Sequence, residues 1–418
     1  MSIWEIFCLK KQQFSIKKSK FKKQLKSIIS ENIYEKSRLY ELKKNSHKIS
    51  FLLLSAFTDT CFLLTHIISS AWKQSDNLMR TFDIENSNNK LLQSLLFWFY
   101  YSCIFWSASL PLFISKIFVL KYDHHLAIPS IIYWFKKQLM KFIIFQFISG
   151  IVLMSLIWIC EPFYYCFLTT WLFTIIIVIF ISYIHQKIIR FIVYKFTKLP
   201  ADVKNKLNDL ALYDNDKLCV FDEPYNMAHA NFYMYCFYKQ RRNIIFDILV
   251  GAQCGLSGMT TENVNLTKEE IIALQIHEMA HYKYKHHHHG LFYAMLIIGL
   301  NLGVVSLLRD YQPIFDEFQI ESSENKPYIV LLVITFVYIM RPINKMFMHI
   351  MNKFSKQCEV QADEFCHNNK FGNYLKTAII KIHKYNLVFP GNKYYSSNYQ
   401  FGYPPLLERL DFFDKKIN

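Results

Sequence analysis

His277-Glu278-Met279-Ala280-His281 lies inside Leu266–His286, LTKEEIIALQIHEMAHYKYKH. Two imidazoles four residues apart share one face of a helix, where both can reach a single zinc ion. Glu278 is one residue round the helix and can reach a coordinated water instead. Zinc lowers the pKa of such a water from 15.7 to about 7, and a nearby carboxylate takes its proton as it attacks a peptide carbonyl. Thr267 followed by Glu270 reads as a capping box, so a helix starts just before the motif. The plainer alternative is a helix that carries two histidines on a polar face.

A catalytic zinc site keeps one position open for water, so a third protein ligand must come from elsewhere. Ser355–Cys366, SKQCEVQADEFC, places Glu359 and Asp363 four apart on one helical face. Glu359 is the chosen third ligand, because a carboxylate suits a two-histidine pattern. Asp363 then hydrogen-bonds the far nitrogen of a ligand histidine, as carboxylates around such sites do. Taken alone, Glu359 is more often a solvated helix residue. The run His286–His289 can bind metal, but His281 already completes the motif and the run reads as a solvated interfacial stretch.

The chain around these residues has 418 residues, 52% of them hydrophobic, with 38 Phe and 27 Tyr. The apolar residues fall in blocks long enough to cross a bilayer as helix, which takes about 20 residues. Six candidate spans result: 51–71, 92–120, 141–161, 163–185, 290–308 and 328–350. Pro111 predicts a kink or tilt in the second. Asp59 in the first either faces a bundle interior or lies near an end of its span. Net charge is +16, which on a soluble chain would point to nucleic acid. Here the basic residues sit in particular loops. Residues 1–50, 121–140 and 186–289 are rich in Lys and Arg, while 309–327 is acidic. The positive-inside rule then places both termini and the zinc helix in the cytosol. Residues 1–50 read as helical segments on the cytosolic membrane surface, drawn to anionic lipid. The ten cysteines include no C-x-x-C pair, which points to reduced, packed thiols.

The expected architecture is a mainly α-helical multi-span membrane protein with a cytosolic zinc-protease domain that carries a small sheet. Short strands are expected at Leu218–Phe221, Ala230–Phe237 and Asn243–Ile248. Residues 1–185 form a membrane region with four spans, and residues 186–418 form a protease domain interrupted by two.

Together these motifs resemble the type I CAAX prenyl endopeptidase family, integral-membrane zinc metalloproteases. The resemblance runs through Ile28–Leu42 (IISENIYEKSRLYEL), Lys195–Pro200 (KFTKLP) and His229–Leu249. It continues through the zinc helix with His286, Glu359–Asp363, Lys381–Leu387 (KIHKYNL) and Pro404–Leu410 (PPLLERL). It implies one zinc per chain, held by His277, His281 and Glu359, with Glu278 as general base. It places Asn231 where an edge strand presents an asparagine to the substrate backbone, in keeping with recognition by strand addition. It also implies that the spans enclose a large chamber capped by the protease domain.

Two departures stand out. The family starts with a further span, and here only Ile3–Leu9 precedes the basic segment. Where the family has a histidine before the last Pro-Pro, this chain has Tyr403, and Gln400 replaces a second histidine. A tyrosine hydroxyl can donate the hydrogen bond that stabilises a tetrahedral oxyanion. The implied activity is removal of the C-terminal tripeptide from prenylated, farnesylated CAAX proteins, with a second upstream cut also open. The alternatives are a general membrane quality-control metalloprotease and a catalytically weak scaffold. Lys415-Lys416-Ile417-Asn418 resembles a dilysine retrieval signal, which places the enzyme in the endoplasmic reticulum membrane. The expected partners are the prenylated substrate and the bilayer, without nucleic acid, for a monomer.

Overall fold

A computed structural model of the chain describes residues 2–21, 23–26, 28–82, 90–115, 131–160, 167–192, 195–198, 218–222, 232–237, 240–246, 266–320, 327–390 and 402–417. Five helices open the chain: α1 (Ser2–Lys18), α2 (Lys23–Lys26), α3 (Glu31–Leu64), α4 (Ile67–Thr81) and α5 (Lys90–Ile114). The helices α6 (Ile131–Cys160) and α7 (Phe167–Ile192) complete the N-terminal half.

Every apolar block carries a helix. Among the described residues four helices are long and apolar enough to cross a membrane, namely α3, α5, α6 and α9 (His286–Leu308). The pair α11 (Tyr328–Val333, continuing as a π-helix to Ile339) and α12 (Arg341–Asn368) is apolar enough only when taken together, as a broken span or a re-entrant segment. The first block differs from the expected 51–71. Helix α3 ends at Leu64, His66 adopts a left-handed conformation (φ 48°), and α4 starts afresh. A non-glycine residue there breaks the helix ladder, and α4 turns Ile68, Ala71, Ser75 and Met79 inward as one buried face. Pro111 lies inside α5, three residues before Ile114, and residues 116–120 of the expected span lie outside the described residues.

The N-terminal helix is docked on α3 and α12. Leu9, Gln12 and Ile16 are buried. Gln13 donates to the Leu42 carbonyl of α3 at 3.3 Å, and Glu5 pairs with Lys345 of α12 at 2.9 Å.

Close helix approach in the membrane half depends on small residues and paired polar groups. A Cβ on Gly299 of α9 would sit 2.6 Å from the Trp171 ring, whose Nε1 donates to the Met295 carbonyl at 2.9 Å. Asn301 of α9 and Asn344 of α12 exchange amide hydrogen bonds of 2.8 and 3.0 Å.

The sixth block, expected as one span over 328–350, bends by 60° at Met340. Met340 N–H bonds the Thr335 carbonyl five residues back, a π-type turn. Pro342 then stands in the first turn of α12, where its missing N–H costs nothing. Asp59 of α3 forms an ion pair with Arg341 at this bend, so it is a partnered carboxylate. The bend sets the direction of α12, which carries Glu359 and Asp363.

Four strands follow α7: β1 (Lys195–Lys198), β2 (Leu218–Asp222), β3 (Phe232–Phe237) and β4 (Gln240–Phe246). They order as β1-β2-β4-β3, with β2 and β4 parallel and both outer pairs antiparallel. Among the described strands β3 is therefore an edge, in register Phe232 to Ile245 with β4. It lies against α8 (Lys268–Lys283), the helix that carries His277, Glu278 and His281.

The core beneath α8 is built by α12, α13 (Gly372–Tyr385) and α14 (Leu406–Ile417). Ile272 and Ile276 of α8 are fully buried, each worth about 1.5–3 kcal/mol over exposure. Ala273 and Ala280 of α8 and Ala362 of α12 are also fully buried. These small side chains let the two helices approach, and the Cys366 thiol donates to the Ala273 carbonyl at 3.4 Å. The short helix α10 (Gln312–Glu317) caps the opposite end, with Phe315 buried.

Candidate metal centre

Thr267 caps α8 as the sequence predicts. Its backbone N–H donates to Glu270 Oε2 at 2.8 Å, and its hydroxyl accepts from Glu270 N–H. Glu270 is buried, and Lys381 Nζ of α13 reaches the same Oε2 at 2.7 Å. The start of the motif helix is thus tied to α13 through the first residue of the KIHKYNL stretch.

Two turns further on, His277, Glu278 and His281 bring a ligand atom each to within 4.8 Å of one another. His277 Nε2 and His281 Nε2 are 3.4 Å apart. Glu359 of α12 offers one oxygen to each: Oε2 lies 3.4 Å from His277 Nε2, and Oε1 lies 3.6 Å from His281 Nε2. Tetrahedral ligands held about 2.0–2.1 Å from a common ion are separated by roughly 3.3 Å. The three side chains therefore stand at the mutual spacing that one tetrahedral ion requires.

The electrostatics favour a cation there. Burial alone would lower the His277 imidazole, but its hydrogen bonds to the accepting carboxylates of Asp363 and Glu359 outweigh it and push it up to about 10. His281 is lowered to about 4 by burial and by the neighbouring His277. Burial opposes charge on Glu359, yet the hydrogen bond and charge of His277, with Arg409 and His281 beyond, hold its carboxyl below the usual range.

Asp363 lies one turn along α12 from Glu359. It is 1% exposed, and its Oδ1 is 3.0 Å from His277 Nδ1. Arg409 of α14 grips the same carboxylate through Nε to Oδ2 at 2.7 Å and Nη2 to Oδ1 at 2.5 Å. Burial would raise Asp363, but Arg409 and His277 hold it at about 2. The structure thus brings His277, Glu278, His281, Glu359 and Asp363 together. Sequence reasoning did not place Arg409, although its neighbourhood in PPLLERL was visible.

The reading of His286 needs correction. His286 is buried, with its Nδ1 3.0 Å from His281 Nδ1 and its Nε2 2.9 Å from Gln361 Oε1. The rest of the run, His287–His289, is exposed, as expected for an interfacial stretch. Lys285 in a left-handed conformation (φ 54°) turns the chain between α8 and α9 and folds His286 back over the site. A run of identical residues hides such a turn.

Tyr403 stands at the start of the last segment, with its side chain 62% exposed. Desolvation by the surrounding chain, then the Glu359 and Glu278 carboxylates, push its hydroxyl up. A Cβ on the preceding Gly402 would lie 2.8 Å from Ser355 Oγ, so this segment rests on α12 one turn before Glu359. Asn231 and Gln400 lie outside the described residues.

Comparison with known proteins accords with this geometry. Residues 205–417 match peptidase family M48. The chain belongs to that family. Residues 12–195 match a second family, described as CAAX prenyl protease N-terminal, five membrane helices. The hydropathy pattern gave four spans in that stretch. Splitting the first block at His66 makes α3 to α7 five described helices longer than ten residues. A CAAX prenyl protease 1 homolog of Oryza sativa subsp. japonica is 27% identical over 418 residues, covering 98% of this chain and 94% of its own. The Homo sapiens protein of the same name is 26% identical over 438 residues, covering 98% and 92%. The crystal structure of S. mikatae Ste24p has the same fold, with a TM-score of 0.81 over 99% of this chain and 96% of that one at 19% identity. This M48 chain is a multi-span membrane metalloprotease.

Proposed function

We propose that this M48 chain is a zinc metalloendopeptidase that removes the C-terminal tripeptide of prenylated CAAX proteins. The observation that carries the reading is the spacing of His277, His281 and Glu359 around one point with Glu278 beside it. The names of the rice and human relatives supply the substrate class. Zinc bound there would polarise the scissile carbonyl and make a water acidic enough to lose its proton near neutral pH.

The remaining chemistry falls to the chain's own residues. Glu278 takes the proton of the attacking water and returns it to the leaving amine. Strand β3, an edge among the described strands, is placed to pair with an extended peptide, with Asn231 directly before it in sequence. Tyr403 donates to the developing oxyanion from the rim. Asp363 holds His277 through Nδ1 and is itself held by Arg409. Residues 1–185 form the membrane region and residues 186–418 the protease domain, facing the cytosol from the endoplasmic reticulum membrane.

Cleavage of a farnesylated CAAX peptide beside its unprenylated twin, with and without a zinc chelator, tests the function. Chelator-sensitive cleavage favouring the farnesylated form is expected. Equal cleavage of both would instead make the chain a general membrane protease. For the rim residue, Tyr403→Phe is expected to lower kcat about 10²–10³-fold, the usual cost of one oxyanion donor. Unchanged turnover would remove Tyr403 from the mechanism.

A further inference from the structure

The two ligand imidazoles are held in different ways. Asp363 lies 3.0 Å behind His277 Nδ1, an ionised acceptor that keeps the proton on that nitrogen and leaves Nε2 bare for a metal. No carboxylate lies behind His281 among the described contacts. Its Nδ1 meets His286 Nδ1 at 3.0 Å, the rings nearly perpendicular at 75°.

Two ring nitrogens that face each other at this distance with no cation between them cannot both carry hydrogen, and two bare ones repel. The partner at the other end of His286 decides which one donates. Gln361 Oε1, 2.9 Å from His286 Nε2, can only accept. His286 therefore carries its proton on Nε2 and has a bare Nδ1. That lone pair accepts from His281 Nδ1–H, which leaves His281 Nε2 bare, facing His277 Nε2 and Glu359. The order is the same when worked from the metal outward, since a ligand nitrogen must offer a lone pair. Turning the Gln361 amide over would reverse every donor and close His281 Nε2 to a metal.

Accordingly we propose that His286, fixed by Gln361, is a positioning residue that locks His281 as the tautomer able to bind the metal. This rests on the metallopeptidase reading of the site. It also accounts for the left-handed Lys285, because the turn at that residue brings His286 back over His281. A straight continuation of α8 would carry His286 away. Gln361 shares α12 with Glu359, two residues on, so one helix supplies a ligand to the metal and the acceptor that orients another ligand.

The test is zinc affinity of the purified full-length protein by chelator competition, with the visible spectrum of the cobalt-substituted protein as a second readout. His286→Ala is expected to weaken zinc binding about 10–100-fold, as loss of such an outer hydrogen bond does, and to alter the cobalt bands. His286→Asn, whose Oδ1 can accept where Nδ1 did, is expected to recover most of the affinity. Gln361→Leu is expected to weaken binding, and Gln361→Glu, which still accepts, to retain it. Wild-type affinity and an unchanged cobalt spectrum in His286→Ala would overturn the proposal. Should His286→Ala not fold, unchanged affinity in Gln361→Leu, a change at an exposed side chain, would overturn it equally. His281→Ala separates the two levels. If it abolishes zinc binding while His286→Ala does not alter it, only this inference falls. If it leaves zinc binding intact, the metal site itself is wrong and the inference goes with it.

Discussion

Replacing Glu278 by alanine is expected to leave the metal bound and to cut turnover by about 10²–10⁴, the range general acid–base catalysis contributes. The two effects separate because of where Glu278 sits. His277, His281 and Glu359 already stand at tetrahedral spacing without it, so its loss removes no ligand. It does remove a second carboxylate, within 4.8 Å of both imidazoles and placed to accept a proton from an attacking water. Metal content and kcat measured on one preparation decide the matter. Zinc retained with activity lost assigns the base, whereas zinc retained with activity unchanged takes Glu278 out of that role. Glu278→Gln tightens the test, because it keeps the size and hydrogen-bonding reach of the side chain and removes only its basicity.

Much of this site can be read in the sequence because its parts obey local rules. The capping box at Thr267 and Glu270 is a three-residue pattern. His277 and His281 share a face because four residues make roughly one turn, and Glu359 and Asp363 share one for the same reason. Long apolar blocks mark helices regardless of what they pack against. What was not legible depends on the backbone between such patterns. The break at His66 and the turn at Lys285 each use a non-glycine residue with positive φ, which no local pattern announces. The 60° bend at Met340 hides inside a block apolar enough to read as one span, with Pro342 as its single local sign. Arg409 was out of reach for a different reason. A lone basic residue on an amphipathic helix reads as solvated until the fold sets a buried carboxylate opposite it.

That carboxylate carries the second large effect. Asp363→Ala removes a group that is 1% exposed and joins His277 to Arg409. Leaving one partner of a buried ion pair without the other costs about 3–5 kcal/mol, and a ligand histidine without its outer hydrogen bond loses about 10–100-fold in metal affinity. Both losses are expected in the single variant, and a second change separates them. Adding Arg409→Leu removes the stranded guanidinium, so thermal stability of the metal-free protein should recover in part, while zinc affinity stays low because His277 still lacks its partner. Asp363→Asn should behave in the opposite way: its amide oxygen still accepts from His277 Nδ1–H and keeps much of the metal affinity, but without a charge it leaves Arg409 uncompensated. If Asp363→Ala melts and binds zinc like the wild type, Asp363 neither neutralises Arg409 nor orients His277. If the double variant remains as unstable as Asp363→Ala, the cost lies in lost packing around α12 and α14 and not in the unpaired charge.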